Sequence, residues 1–495
     1  MNEDKGISVV TAYTNIPYSV FATEIAGSLK NDFNNEMNEI MGFYEVYEKG
    51  AEFSTEGTGG DYVASSIKYK KIRDLIDKES RFLFSIPPTF TVNQNVSGMN
   101  DKEKVANTQL NLFLTDVLNK TKFNSNLVRA AKDCFIAKRI ACVLNFDDSG
   151  ISVSFLNATE FLYKFDGDVL QKIVAIFILQ DSSNKADQII KKKVYEMGED
   201  GYCYVEEALY SGTGELKEEG RLERTKTLFT RIPAVIILND GLTNNDRGES
   251  DVKSLLEYES GYSKLANADI DSERKSMNPI RYTVDASVSS TKGLSSSPGS
   301  FWDIQSDQTG SDPHNASVGM LEAGMNYSSA LKTTLDRLEN TMYSQLEIPN
   351  VNSEKLSGVI TSGKTLKALY WSLIVRCNEK MLVWGPALSM IGELILEGAL
   401  LYPNSAKAMS ETTVPSIPYR VYVDNNYPLP EDESEEKTMD LAEVAAQTMS
   451  RKAYMKKWRN LTDEEIEAEL KQMAMERQML EDSAMPMSEQ LMQGE

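Results

Sequence analysis

Histidine is almost missing from this chain: its 495 residues include one, His314. Cysteine is scarce as well, with Cys134, Cys142, Cys203 and Cys377 at no C-x-x-C spacing. Zinc therefore finds no ligand set, and His314 has no nucleophile and acid spaced around it as a hydrolase needs. The scattered thiols read as reduced and buried, as in a cytosolic protein. Positive charge is in deficit, 52 Lys and Arg against 74 Asp and Glu, a formal net charge of −22. Such a chain does not hold nucleic acid by broad phosphate neutralisation, although it can let a duplex slide past. The start MNEDKGISVV is polar and acidic and reads as no signal peptide. The long apolar run at 381–402, MLVWGPALSMIGELILEGALLY, contains Glu393 and Glu397. Carboxylates are costly in a bilayer, so a buried helix is preferred to a membrane span. The acidic DGLTNNDRGESD at 240–251 lacks the spacing of a calcium loop, and Asp240 and Gly241 read as a turn.

Hydrophobic residues make up 41% of the chain, ample for several domains or one elongated subunit. Helical periodicity runs over 16–48, and a second helix is expected over 62–84, ended by Pro87 and Pro88. Two more helices fill 102–138. From Ile140 to about Ile237 the pattern turns to β, beginning with a hairpin around the DDSG turn at 147–150. VLQKIVAIFILQ, IIKKKVYEM, GYCYVEEALY and IPAVIILND continue as strands, and short connections imply antiparallel pairing.

A single helix of about 40 Å is expected over 249–275. Its thin apolar stripe is Val252, Leu255, Leu256, Tyr262, Leu265 and Ala266, with Glu257, Glu259, Asp269 and Asp271 among the charges on the rest. The Ser-, Gly- and Pro-rich segment 276–318 holds Phe301 and Trp302, which argue for a small projecting module over a bare linker. A second long helix is expected over 319–346, so two helices of similar length flank that module like a stalk. Another helix is expected from Lys364 to about Leu400, kinked at Pro386. The segment 415–428 returns to strand. Helices follow Pro430, with an acidic run at their start where the helix dipole favours it.

One motif points elsewhere. LSGVITSGKTLKALY at 356–370 satisfies G-x-x-x-x-G-K-[ST] through Gly358, Gly363, Lys364 and Thr365, the pattern of a phosphate-cradling loop. A working loop of this kind follows a buried strand in an α/β sheet. Here the preceding EIPNVNSEK is polar, and VYVD at 421–424, the one downstream candidate for the acidic strand, lies outside any βαβ alternation. The surroundings favour a coincidental match, with Thr361 or Ser362 capping a helix. A P-loop ATPase using 358–365 is the alternative function. A coiled-coil scaffold, suggested by the long helices, is disfavoured by the β-rich middle.

The order of these elements resembles the portal proteins of tailed bacteriophages, in the family typical of long-tailed phages of Gram-positive hosts. Four stretches carry the likeness: SSIKYKKIRDLIDKESRFLFSIPPTFTV (65–92), RIPAVIILNDGLTNNDRGESDVKSLLEYESGYSKLANADID (231–271), LSGVITSGKTLKALYWSLIVRCNEK (356–380) and YPLPEDESEEKTMDLAEVAAQTMSRKAYMKKW (427–458). The resemblance implies an α+β portal fold: a wing over 1–248, stem helices over 249–275 and 319–346, a clip over 276–318 and a tunnel loop over 347–363. A long kinked helix and return strand of the wing would fill 364–430, and a helical crown with a disordered tail 431–495. It implies a non-enzymatic ring, of twelve subunits in the family, around a channel for double-stranded DNA at one capsid vertex in the virion. Assembly would take place in the host cytoplasm. Partners would be further copies of the chain, the large terminase, a head–tail adaptor, and the major capsid and scaffolding proteins, with no membrane, cofactor or metal. ATP hydrolysis would belong to the terminase. The resemblance makes Asn350, Asn352, Lys355 and Lys364 the candidates for sequence-independent contact with DNA in the tunnel loop. Arg281, Lys292, Phe301 and Trp302 are the candidates for partner binding in the clip. Copies at −22 each would form a wall from which DNA is repelled.

Overall fold

The computed structural model describes residues 16–55, 63–94, 98–180, 187–242, 245–277, 280–294, 301–307, 315–321, 326–351, 363–429, 433–459 and 461–484. His314, Asn352, Lys355 and Gly358 lie outside the described residues. The chain divides into two compact units, one comprising 1–350 with 370–428, the other 351–369 with 429–495.

In the larger unit, the single helix expected over 16–48 is split. A short α1 (Tyr18–Phe21) and a long α2 (Lys30–Lys49) are separated by a 3-10 turn that begins at Gly27. α2 stops at Gly50, whose φ of 86° suits glycine. The next helix, α3 (Lys71–Phe84), starts nine residues later than its sequence suggested. Residues 63–70 are non-helical because their backbone amides are taken by side chains of a distant helix, described below. β1 (Thr89–Val92) follows, then α4 (Asp101–Lys120) and α5 (Phe123–Ala137), as expected. α4 opens on a capping box: Glu103 N–H donates to Asn100 Oδ1 at 2.9 Å, and Asn100 N–H donates to Glu103 Oε2 at 2.9 Å.

The β region forms two antiparallel sheets. β2 (Arg139–Asp147), β3 (Gly150–Asn157) and β9 (Ala234–Leu238) make one, in the order β3-β2-β9, and the DDSG hairpin is present with Asp147 opposite Gly150. β4 (Phe161–Asp166), β5 (Val169–Gln180), β6 (Ile189–Met197), β7 (Cys203–Ser211) and β8 (Leu216–Lys226) make a five-stranded meander. One face of the meander buries Val174, Ile176, Ile190, Val194 and Tyr210 against Val20, Phe21 and Phe33. β4 and β8 have no counterpart in the sequence reading. β8, LKEEGRLERTK, lacks an apolar alternation because it is an edge strand, and charge on an edge discourages pairing with another chain.

A 3-10 turn (Lys253–Leu255) leads into α6 (Leu256–Met277). Then come β10 (Ile280–Val284), a short α7 (Val288–Thr291), β11 (Ser317–Leu321) and α8 (Ser328–Gln345). Here the expected helix over 319–346 is corrected at its start. SVGML is a strand, paired antiparallel with IRYTV so that Tyr282 faces Gly319, and the Tyr282 ring fills the space where a Cβ at 319 would sit. Strand pairing, a long-range interaction, overrides the local helical spacing. α6 and α8 pack on each other.

The helix expected from 364 to 400 is also two: α9 (Gly363–Leu369), in the smaller unit, and α10 (Trp371–Leu401), interrupted at Tyr370. Pro386 lies inside an unbroken α10. α10 is long and apolar enough to cross a membrane by length and composition alone. In the fold it is the core helix, with Leu388, Ile391, Leu394, Ile395 and Leu396 fully buried, packed on β9 and β12. α11 (Pro403–Met409) and β12 (Val421–Asp424) complete the unit, and β12 pairs antiparallel with β1. The five fully buried side chains of α10 contribute roughly 8–15 kcal/mol of transfer free energy, which is what recruits this helix to the interior.

In the smaller unit, α12 (Glu433–Ala445), α13 (Arg451–Arg459) and α14 (Asp463–Ala484) follow one another. Asp440 ties the first two, accepting from Trp458 Nε1 at 2.7 Å and pairing with Lys457 at 2.8 Å. Thr462 and Glu465 cap α14, and Met455 and Ile466 are its small buried core.

Candidate channel and docking elements

The paired helices α6 and α8 are fixed to the body through α3. Lys71 pairs with Glu339 at 2.9 Å and lies over the Tyr262 ring, and Tyr69 packs edge-on against Tyr262. Two turns further along α3, Lys78 donates to Tyr343 Oη at 2.6 Å. Beyond these contacts α8 is thinly covered. Leu331, Leu335 and Leu338 are half-buried, and Met342 is the buried residue of the helix.

α6 departs from the sequence reading in a telling way. Glu259 and Asp271, which lie off the apolar stripe in the sequence, point inward with Ser263 and Asn267 at a four-residue spacing. They receive the extended segment 63–70. Ser65 N–H donates to Asp271 at 3.0 Å, Ile67 N–H donates to Asn267 Oδ1 at 2.8 Å, and Asn267 Nδ2 donates back to Ile67 O at 2.8 Å. Glu259, fully buried, accepts from Ile72 N–H at 3.0 Å and Ala51 N–H at 3.5 Å, so a carboxylate of α6 caps the N-terminus of α3. Burial pushes the Glu259 carboxyl up, against the pull of those amides. The segment is thus a strap laid along the helix by side chains in place of a partner strand. The polar stripe at four-residue spacing was the available signal. Replacing Asn267 by Leu leaves the Ile67 N–H and C=O without partners, and is expected to cost about 2–3 kcal/mol. The midpoint of denaturant unfolding checks it, and an unshifted midpoint would show that the strap is held otherwise.

At the root of α6 lies a buried ionic cluster. Arg376 on α10 pairs with Glu79 of α3 at 2.7 Å and with Asp251, just before α6, at 2.9 Å. Lys380, one turn on, pairs with Asp251 at 2.9 Å, lies 3.4 Å from Glu79 and donates to Asn239 Oδ1 at 2.7 Å. Two carboxylates and two cations balance. Burial lifts Glu79, whose Oε2 has no hydrogen-bond partner among the described residues. Burial also works against charge on Arg376 and Lys380, yet their facing carboxylates raise both. Gly248 makes the approach possible. Its φ is 72°, and a Cβ there would sit 2.2 Å from the Lys138 carbonyl. The stretch 231–271, which carries part of the resemblance, contains Asp251 but nothing in it points to partners on α3 and α10.

The proposed site residues fall as follows. Asn350 donates to Asn340 Oδ1 at 2.8 Å, folding the chain after α8 back onto that helix. Lys364 lies in the first turn of α9. Arg281 stacks its guanidinium on Trp302, 5.2 Å from the ring centroid, which brings β10 and the 301–307 segment together. Phe301 is 91% exposed beside it, and Lys292 follows α7 on the surface. Tyr282, Val284, Val288, Val318 and Met320 of the same small module are exposed as well.

No cluster of metal-ligating side chains occurs among the described residues. A cavity of about 930 Å³ between α2 and the meander is lined by charges that pair with one another, Lys172 with Glu24 at 2.6 Å and Arg247 with Glu36 at 2.9 Å. All four cysteines are buried free thiols. VYVD, the strand a P-loop reading would require, is half of a two-stranded antiparallel sheet.

Residues 27–482 match the family described as phage portal protein, SPP1 Gp6-like, and the chain belongs to that family. Its α+β architecture is that of a portal, a structural protein of the capsid's portal vertex, and the tailed-phage resemblance of the four stretches is borne out. No curated protein matches the chain.

Proposed function

We propose that this chain assembles into a closed ring of twelve copies around a channel through which double-stranded DNA enters and leaves the capsid. The ring docks the large terminase during packaging and a head–tail adaptor afterwards, and contacts the major capsid and scaffolding proteins. Residues 1–248 with the helix and return strand of 364–430 serve as wing, 249–275 and 319–346 as stem, 276–318 as clip, 347–363 as tunnel loop and 431–495 as crown and tail. Asn350, Asn352, Lys355 and Lys364 touch DNA without reading bases. Arg281, Lys292, Phe301 and Trp302 meet the docking partners.

One observation supports this reading above the rest. α8 leaves its apolar stripe half-buried in a single copy, and the paired helices end in a two-stranded sheet with exposed apolar side chains on both faces. An isolated pair of strands is marginally stable in water, and a half-covered stripe asks for a neighbour. Side-by-side copies supply both. Negative-stain electron microscopy of the purified chain is expected to give ring-shaped class averages with a central hole and about twelve-fold symmetry. Compact hexamers appearing only with ATP would replace the portal ring by a P-loop ATPase, with Lys364→Ala as the variant to examine.

A further inference from the structure

Phe82 of α3 meets two tyrosines that come from far along the chain. Its ring stacks on Tyr370, with centroids 5.7 Å apart and planes 6° from parallel, and on Tyr427, at 5.3 Å and 11°. Phe82 is buried, in a run with Leu83 and Phe84, and both tyrosines are half-buried. Offset, near-parallel rings at these separations attract one another beyond what burial alone provides. Tyr427 is also held by its hydroxyl, which donates to Asn378 Oδ1 of α10 at 2.7 Å; burial pushes that hydroxyl up to about 12, so it keeps its proton. Two residues earlier, Asn425 Nδ2 donates to Leu83 O at 3.1 Å. The place of the stack in the chain sets it apart from ordinary core packing. The chain enters the larger unit at Tyr370, between α9 and α10, and leaves it after Pro428, one residue beyond Tyr427. Two of the passages between the units are thus seated on one ring. Trp371, the residue after Tyr370, is by contrast 65% exposed.

We propose that Phe82 is a clasp that couples these two passages, so that freeing Tyr370 loosens the seat of Tyr427, and freeing Tyr427 loosens the start of α10. The two tyrosines share one partner, and residues that share a partner have non-additive energies. A coupling between two sites is reciprocal, so each tyrosine affects the other's segment by the same factor. The route between them is short. Phe82 is anchored in the buried end of α3, β1 follows that end and pairs with β12, and Asn378 lies two turns into α10. The clasp itself stands on this geometry alone, while its use rests on the portal reading. In that reading Tyr370 follows the tunnel-loop side of the sequence and Tyr427 precedes the crown, so a displacement of one by passing DNA is felt at the other.

The test is hydrogen exchange of the full chain followed by mass spectrometry, compared among Tyr370→Leu, Tyr427→Leu, Tyr427→Phe and Trp371→Leu. Leucine keeps apolar bulk and removes the ring. In Tyr370→Leu, exchange over 421–427 is expected to speed up about 3–10-fold, the factor that a lost ring pair corresponds to. In Tyr427→Leu, exchange over 374–378 is expected to speed up by the same factor. Trp371→Leu alters the exposed neighbour of Tyr370 and is expected to leave 421–427 unchanged. Tyr427→Phe keeps the ring and loses the hydroxyl, and is expected to keep 374–378 near the unmodified rate. A Tyr370→Leu effect confined to the residues around 370 overturns the clasp. So does an equal rise in Tyr427→Phe, which would assign the coupling to the Asn378 hydrogen bond. A rise that extends to the meander at 190–194 overturns it too, since the stack would then support the whole unit. Electron microscopy of the same samples tests the portal reading separately. Coupled exchange in a chain that forms no rings removes the assembly and keeps the clasp, whereas rings without coupled exchange remove the clasp.

Discussion

Arg376→Met is expected to destabilise the larger unit by about 3–5 kcal/mol, the range seen when one partner is taken from a buried ion pair. The methionine fills most of the volume, so the loss is chiefly electrostatic. Glu79 and Asp251 are left facing Lys380 alone, and an interior that was balanced gains an uncompensated negative charge. Glu79 is where that charge will be relieved, because burial already lifts its carboxyl and one of its oxygens is unpartnered. Adding Glu79→Gln to the variant is therefore expected to recover part of the loss, with a coupling of about 1–3 kcal/mol in the double-mutant cycle. Chemical denaturation of the four chains measures it. A loss below about 1 kcal/mol for Arg376→Met would mean that the cluster is hydrated and carries little. The functional consequence follows from what the cluster joins. α3, the start of α6 and the core helix α10 meet there, so a displaced Arg376 loosens the root of the paired helices at the same time as the core.

What the sequence made legible, and what it did not, divides by the range of the interactions. The helices over 102–138, the DDSG hairpin and the strand ending at Gln180 are set by neighbours within a few residues, and each was readable. The start of α3 was not, since residues 63–70 read as helical and are straightened by Asn267 and Asp271 about 200 positions away. The strand 317–321 escaped for the same reason, its partner being 280–284. β8 escaped because an edge strand in this sheet is written in charges, and alternation of apolar residues is the only strand signal a single sequence offers. The candidate site was legible at the level of order. The two long helices around a small module and the aromatic pair Phe301 and Trp302 were visible. The clamp of Glu79, Asp251, Arg376 and Lys380 was not, because four charges spread over 300 positions look like four solvated surface residues until the fold gathers them.

The second large effect concerns pH. Glu160, in the turn between β3 and β4, accepts from Asn157 N–H at 3.0 Å, and burial raises its carboxyl from the ordinary value of 4.5 to about 7. Asp133 on α5 accepts from Tyr44 Oη at 2.9 Å and is raised, again by burial, to about 6. A carboxyl whose folded pKa lies above its unfolded one disfavours folding when ionised. The penalty is absent below pH 4.5, grows as pH rises toward 7, and is complete above that. Stability is therefore expected to rise as pH is lowered from 8 to about 5, until the carboxylates of opposite behaviour take over. Glu24, Asp77 and Glu207 are held low by their lysine partners, which outweigh burial, and their contributions are lost as pH falls further. Glu160→Gln isolates the term. The amide oxygen can still accept from Asn157, and the charge is gone. Each pKa unit is worth about 1.4 kcal/mol, and part of the residue still reaches solvent, so the variant is expected to be more stable by about 2–3 kcal/mol at pH 8. It should equal the unmodified chain at pH 4.5 and below. Thermal unfolding across that range reads the difference directly. A gain that persists at low pH would assign the effect to packing, and a loss at pH 8 would mean that the ionised carboxylate is what the Asn157 turn requires.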